Sequence, residues 1–185
     1  MNFGGARAEK QRIRNEIRIR ASALTEAYTQ PASQRITEQV LSLQQWRDAQ
    51  TVMAYVSLPG EPDTGELILQ ALAAGKTLLL PRCIDGHRME ALPVRDPAAL
   101  VPGRLGIPEP PEAAEGTPVP EPDLILVPCV SAAPSGIRLG HGAGYYDRFL
   151  DASGAYTVCL CFRALMSADL PAEETDIRMD CVITD

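Results

Sequence analysis

Residues Asp123–Leu150 read DLILVPCVSAAPSGIRLGHGAGYYDRFL. An apolar Leu/Ile/Val run opens the stretch, a Pro/Ser/Gly turn interrupts it, and glycines follow at alternate positions, Gly140, Gly142 and Gly144. Tyr145-Tyr146-Asp147 then begins an expected helix. A strand, a glycine loop and a helix in that order turn bare backbone N–H groups and a helix N-terminus toward an anion, usually a phosphate. GHGAG is neither a P-loop, since no Gly-Lys-Ser/Thr follows, nor a dinucleotide fingerprint, since the last interval is missing. Arg138 before the loop and Arg148 after it supply guanidinium groups suited to phosphate oxygens. The local residues leave alternatives open. The loop serves equally as a plain strand-to-helix turn, and His141 either touches phosphate or faces solvent. Tyr145 and Tyr146 either stack on a planar ring or fill the core. Asp147 either favours the helix dipole or holds magnesium beside a phosphate.

Upstream of this stretch, residues 1–7 read as disordered and Ala8–Leu24 as a helix with Ile13, Ile17 and Leu24 on one side. Its arginines form either a solvated face or, through Lys10 and Arg14 four residues apart, a grip on polyphosphate. A second helix is expected over Ala32–Gln45. Thr51–Ser57 reads as a buried strand, and Thr64 is placed to cap a helix containing Leu67, Ile68, Leu69 and Leu72. Gly75 stops that helix and Thr77–Pro81 resumes as a strand, so the unit is βαβ and its strands are parallel. Glu61 then lies in the loop at the carboxyl end of a parallel strand, where open α/β sheets bind ligands, or is an exposed turn acid. Met89–Val94 is a short strand. The segment 97–122, dense in Pro, Glu and Gly, reads as a long surface excursion. Tyr156–Phe162 and Asp180–Thr184 are the closing strands, and Asp176 lies in the acidic loop between them.

The whole is expected to be one α/β domain over 1–185, with a mostly parallel sheet flanked by helices. A net charge of -7 argues against nucleic acid or an acidic membrane as the main partner, while leaving room for a local basic patch. Five cysteines without zinc spacing read as free thiols in a reducing cytoplasm. No signal peptide or long apolar span is read, so a cytoplasmic protein, monomer or weak dimer, is expected.

The segment RLGHGAGYYDRFL, Arg138–Leu150, closely resembles the signature of the 5-formyltetrahydrofolate cyclo-ligases, also called 5,10-methenyltetrahydrofolate synthetases. Val127-Pro128, Lys10-x-x-x-Arg14, Glu61-Pro-Asp-Thr64, Pro81, Met89, Gly106-Ile-Pro-Glu109-Pro110 and Asp176-x-x-x-Asp180 extend the resemblance over nearly the whole chain. It implies a fold similar to sugar-phosphate isomerases and CoA transferases. It also implies ATP- and Mg²⁺-dependent conversion of 5-formyltetrahydrofolate to 5,10-methenyltetrahydrofolate. Carried over by position, Lys10, Arg14, Arg138 and the loop Gly140, His141, Gly142, Ala143, Gly144, Tyr145, Tyr146 and Asp147 hold ATP. Lys10, Arg138 and Asp147 serve the phosphoryl transfer. Leu58, Glu61, Tyr145 and Tyr146 contact folate, and Asp147 and Asp176 ligate magnesium. The chain departs from the family pattern at Ala132-Ala133, Ala143, Ala164 and Thr175. The departures at Ala132-Ala133 and Ala164 motivate one alternative, a paralogue acting on another N-formyl or pterin-like compound; a second, of another class, is a non-catalytic folate or nucleotide binder that keeps the loop.

Overall fold

The computed structural model of the chain describes residues 3–114 and 118–185. In chain order its helices are α1 (Phe3–Ser22), α2 (Glu26–Ser42), α3 (Gln44–Asp48), α4 (Gly65–Ala73) and α5 (Tyr145–Leu150). The strands of the first half are β1 (Thr51–Met53), β2 (Thr77–Cys83), β3 (Met89–Val94), β4 (Val101–Pro102) and β5 (Pro108–Glu109). Those of the second half are β6 (Leu124–Val127), β7 (Ser131–Ala132), β8 (Arg138–Leu139), β9 (Tyr156–Leu160) and β10 (Cys181–Ile183).

One six-stranded sheet runs β10-β9-β6-β1-β2-β3. Its neighbours are parallel except β2 and β3, which form an antiparallel hairpin at one edge. The central strands carry continuous apolar runs rather than alternation. Val52, Leu79, Ile125 and Val158 are all fully buried, as parallel strands covered on both faces require. The expected βαβ unit is β1–α4–β2, with Thr51 opposite Thr77. Thr64 occupies the N-cap position of α4, but its hydroxyl donates instead to Tyr55 O. The capping acceptor is Asp63 Oδ1, which receives Gly65 N at 2.9 Å.

Several expected boundaries move. α1 starts at Phe3, so Phe3–Arg7 of the stretch read as disordered are helical, and residues 1–2 lie outside the described residues. α2 runs through Pro31 rather than starting after it. The ring removes one N–H, leaving Ala27 O without its i+4 donor, and burial of Ala32, Ile36 and Val40 holds the helix together regardless. The 97–122 excursion contains the two-stranded ribbon β4–β5. Among the described residues no helix is long and apolar enough to cross a membrane.

This topology fixes where a ligand sits. From β1 the sheet grows one way to β2 and β3 and the other way to β6, β9 and β10. The loops leaving the carboxyl ends of β1 and β6 therefore diverge and open a crevice between them, the switch point at which open α/β sheets bind ligands.

Candidate active site

A cavity of about 440 Å³ lies at that crevice. The loop after β1 brings Leu58 and Glu61 to it, β2 ends on it at Cys83, and the β4–β5 ribbon adds Leu105, Ile107 and Glu109. From the other side come Arg138, the loop Gly140–Gly144, and Tyr145, Tyr146 and Asp147 of α5. α1 contributes Lys10 and Arg14, and the loop before β10 contributes Asp176. Apart from Arg148, every residue singled out from the sequence as a site candidate thus lines one cavity.

The basic wall is held by its own carboxylates. Lys10 is only 6% exposed, and its Nζ donates to Asp176 Oδ2 at 2.6 Å and to Glu173 Oε2 at 2.7 Å. Burial works against the Lys10 charge, but the bonds to Asp176 and Glu173 outweigh it and raise the ammonium pKa above its ordinary value. The face of α1 that carries Lys10 is therefore not a solvated one. Arg14 Nε donates to Gly140 O at 2.8 Å, tying α1 to the glycine loop. Its pKa is lowered by burial, which the charges of Asp176 and Glu173 partly offset.

Arg138 is 7% exposed and makes two bonds, Nη1 to Ile177 O at 3.0 Å and Nη2 to Asp147 Oδ1 at 2.9 Å. Its Nε is buried with no partner among the described residues. A buried guanidinium with an unused donor is costly unless a ligand oxygen meets it.

The glycine loop is shaped for close approach. Gly142 and Gly144 have φ of +106° and +71°, a region that side chains with a Cβ rarely adopt. A Cβ on Gly144 would lie 2.7 Å from Arg148 Nη1. Arg148 itself points away from the cavity: Nε donates to His87 O at 2.7 Å and Nη2 to Ala143 O, so it braces the loop from behind. Tyr145 OH donates to Asp85 O at 2.8 Å, docking the start of α5 on the β2–β3 turn.

Glu61 bridges the two halves of the cavity. Its Oε2 receives Leu58 N at 2.8 Å, and His141 Nε2 faces its Oε1 at 2.9 Å. His141 is exposed to solvent and partnered by Glu61. Tyr146 OH and Tyr55 OH are buried without partners among the described residues. Burial, then the nearby Glu61 charge, raises both phenol pKa values, so both stay protonated donors.

Asp147 and Asp176 each keep one oxygen on a cation, Arg138 or Lys10, and no three His, Cys, Asp or Glu side chains among the described residues converge into a protein-only metal cage. That donor set still fits Mg²⁺, which needs only one or two carboxylates when phosphates and water complete its shell.

Several lining residues escaped the sequence reading of the site: Tyr55, Cys83, Leu105 and Ile107, with Glu173 behind Lys10. Glu173 sits 163 residues from Lys10, and no local pattern marks it. Of the departures from the family pattern, Ala143 lines the cavity as part of the glycine loop, and the others fall elsewhere. Ala132 and Ala133 are fully buried in the β7–β8 hairpin and do not line the cavity, and Ala164 donates its N–H to Tyr28 OH on a surface turn. Ala132, Ala133 and Ala164 are not part of the walls of the site.

The mostly parallel sheet, its switch-point crevice and a cavity of cations, carboxylates and glycine backbone define an α/β enzyme-like protein with a ligand cavity at the carboxyl edge of its sheet. The 5-formyltetrahydrofolate cyclo-ligase family model matches residues 6–185, and the chain belongs to that family. It is 31% identical to the 5-formyltetrahydrofolate cyclo-ligase of Saccharomyces cerevisiae, over 95% of this chain and 95% of the relative. The cyclo-ligase of Escherichia coli K12 is 32% identical, over 91% of this chain and 96% of the relative. The NMR structure of Aquifex aeolicus 5,10-methenyltetrahydrofolate synthetase superposes with a TM-score of 0.81 at 30% identity, covering 94% of this chain and 88% of that one. The Mycoplasma pneumoniae synthetase shares the fold, with a TM-score of 0.74 at 18% identity over 96% of this chain and 99% of that one.

Proposed function

We propose that this chain converts 5-formyltetrahydrofolate to 5,10-methenyltetrahydrofolate, using ATP and releasing ADP and phosphate. The observation that carries the reading is the convergence, from both ends of the chain and its middle, of Lys10, Arg14, Arg138, the Gly140–Gly144 backbone, Asp147 and Asp176 on one cavity wall, beside an apolar half lined by Leu58, Met89, Leu105 and Ile107. A triphosphate suits the first half and a pterin ring suits the second.

The chemistry asks little covalent work of the protein. The N5-formyl oxygen takes the γ-phosphoryl group of ATP, N10 forms a bond to the formyl carbon and gives up its proton, and the C–O bond breaks to release phosphate. Such a transfer depends on positioning and on neutralising charge. Lys10 is drawn from its two carboxylates toward phosphate oxygens, and Arg138 adds its positive charge to the same wall. Arg14, anchored on Gly140 O, keeps the loop against the phosphates. Asp147 and Asp176 are the residues that would hold Mg²⁺, which supplies neutralisation of the polyphosphate charge. Tyr145 and Tyr146 flank the folate, and Glu61 orients it from the β1 loop. No protein nucleophile is required: Cys129 is buried, with its thiol directed at Leu160 O.

Purified protein given Mg-ATP and 5-formyltetrahydrofolate is expected to generate the ultraviolet absorbance of the methenyl product, with one ADP released per product formed. Folate binding without product and without ADP would reduce the chain to a passive binder. ATP consumption confined to another formyl compound would make it a paralogue.

A further inference from the structure

Three charged residues of the cavity wall are, taken whole, less than a tenth exposed: Lys10 at 6%, Arg138 at 7% and Glu109 at 7%. The first two have carboxylate partners. Glu109 has no ion-pair partner among the described residues, and the one backbone hydrogen bond to it, from Cys83 N to Oε2, is long at 3.3 Å. An acid buried without a cation is costly, and the cost persists only where something else meets the charge. Cys83 does not: burial, then the hydrogen bond to Glu109, raises its thiol pKa, so it stays a neutral, weak donor.

The position of this acid is built rather than incidental. A Cβ on Gly103 would fall 2.3 Å from Glu109 Cδ, 2.4 Å from its Cγ and 2.5 Å from Ile107 O. Only glycine at 103 leaves room for the Glu109 stem, so the β4–β5 ribbon is folded around that side chain. Glu109 hangs from the β2 side of the cavity, whereas Lys10 and Arg138 reach it from α1 and β8.

We infer that Glu109 is the specificity-determining residue that reads the aminopyrimidine edge of the folate. This rests on the proposed function. The ligand chemistry follows from donor count: a carboxylate only accepts, so its best partner offers two adjacent N–H groups. The 2-amino-4-oxopyrimidine ring of a reduced folate offers them, N3–H beside the 2-amino group. Adenine, the other ring in the reaction, sets its amino group between ring-nitrogen acceptors, which a carboxylate repels. Leu105 and Ile107, from the same ribbon as Glu109, supply apolar cover for such a ring.

The test is calorimetric, without turnover. Wild type and Glu109→Gln are titrated with 5-formyltetrahydrofolate, with its 2-desamino-2-methyl analogue, and with Mg-ATP. Wild type is expected to prefer the natural folate by tenfold or more. In Glu109→Gln that preference should shrink to about threefold or less, with ATP affinity unchanged, because a neutral amide keeps the shape but offers one acceptor in place of two. A purely structural role would weaken both folates alike and leave their ratio intact. An unchanged ratio, or a loss confined to ATP, overturns the assignment while the proposed function stands. No folate binding by the wild type overturns the proposed function and this inference with it. Should Glu109→Gln fail to fold, Glu109→Asp, which keeps the charge but withdraws it by one methylene, is read against the same ratio and the same outcomes.

Discussion

Replacing Lys10 by methionine keeps most of the stem and removes the ammonium. In the free protein this strips Asp176 and Glu173 of their shared cation, whose bonds measure 2.6 and 2.7 Å. Two charge-assisted hydrogen bonds are worth about 1.5–3 kcal/mol each. The side chains of Glu173 and Asp176 are 33% and 15% exposed, so water recovers part of that. The expected net loss is about 2–4 kcal/mol, and in a domain of this size it lowers the unfolding midpoint by about 5–15 °C. The Lys10 pKa is raised, so its contribution is complete below the ordinary 10.5 and fades only as pH climbs through a higher value. The gap between wild type and Lys10→Met should accordingly be flat from pH 7 to 9. Saturating Mg-ATP at a hundred times its Kd should stabilise the wild type by about 2.7 kcal/mol and the variant by much less. Turnover followed by methenyl absorbance should fall about 100- to 1000-fold in kcat/KM. A variant with an unchanged midpoint and unchanged ATP stabilisation would refute both halves of the reasoning, the resting ion pair and the exchange to phosphate. A lower midpoint with intact turnover would refute the second half alone.

Asp147→Asn retains an acceptor for Arg138 Nη2 but discards the charge; it should cost about 1–2 kcal/mol in denaturant unfolding and lower turnover by about a hundredfold or more, with folate affinity measured by calorimetry little changed. Gly144→Ala forces a Cβ residue to the φ of +71° and displaces Arg148 from behind the loop; a loss of about 1–2 kcal/mol and a rise in the KM for ATP are expected, and an unaltered KM would count against the loop as the nucleotide side. For Asp185, burial acts against the charge but Arg163 N–H and Tyr28 OH outweigh it, so its pKa lies below the ordinary 3.8. The stability it contributes is therefore present above that value and lost as pH falls through the lower folded one. Asp185→Asn should unfold more easily than wild type by about 1–2 kcal/mol at pH 7, measured in urea, with the gap closing in acid below pH 3.8.

The features legible in the sequence are those that one stretch of chain determines by itself. Leu124–Val127 and Leu78–Leu80 are apolar without alternation, and that alone marks buried parallel strands. Gly140, Gly142 and Gly144 mark a backbone that must turn closely, and Lys10 with Arg14 share a helix face by spacing. What escaped depends on partners that are remote in the chain. Whether the basic face of α1 is solvated or buried is set by Glu173 and Asp176, more than 160 residues away. Pro31 suggests a helix start because the local rule is a real energetic preference, yet the burial of Ala32, Ile36 and Val40 outweighs one missing hydrogen bond.

The same distinction explains why the apolar half of the cavity is less legible in the sequence than the cationic half. A phosphate is met by backbone and by cations, which leave glycines and Lys/Arg spacings in the sequence. A flat ring is met by apolar side chains and one or two placed acceptors, which look like any core or loop residue until the chain is folded. Leu105, Ile107 and Glu109 sit in a Pro- and Gly-rich excursion that carries little periodicity, and Cys83 lies at the end of an ordinary strand. The crowding of Gly103 against Glu109 exposes the design: a two-stranded ribbon with so few backbone bonds keeps its shape by packing around the acid it presents. Under the proposed function, a site assembled this way would divide its labour by chain segment, the ends and middle holding phosphate and the excursion holding the ring. Changes in the 101–109 ribbon should therefore alter folate selectivity while leaving ATP binding in place.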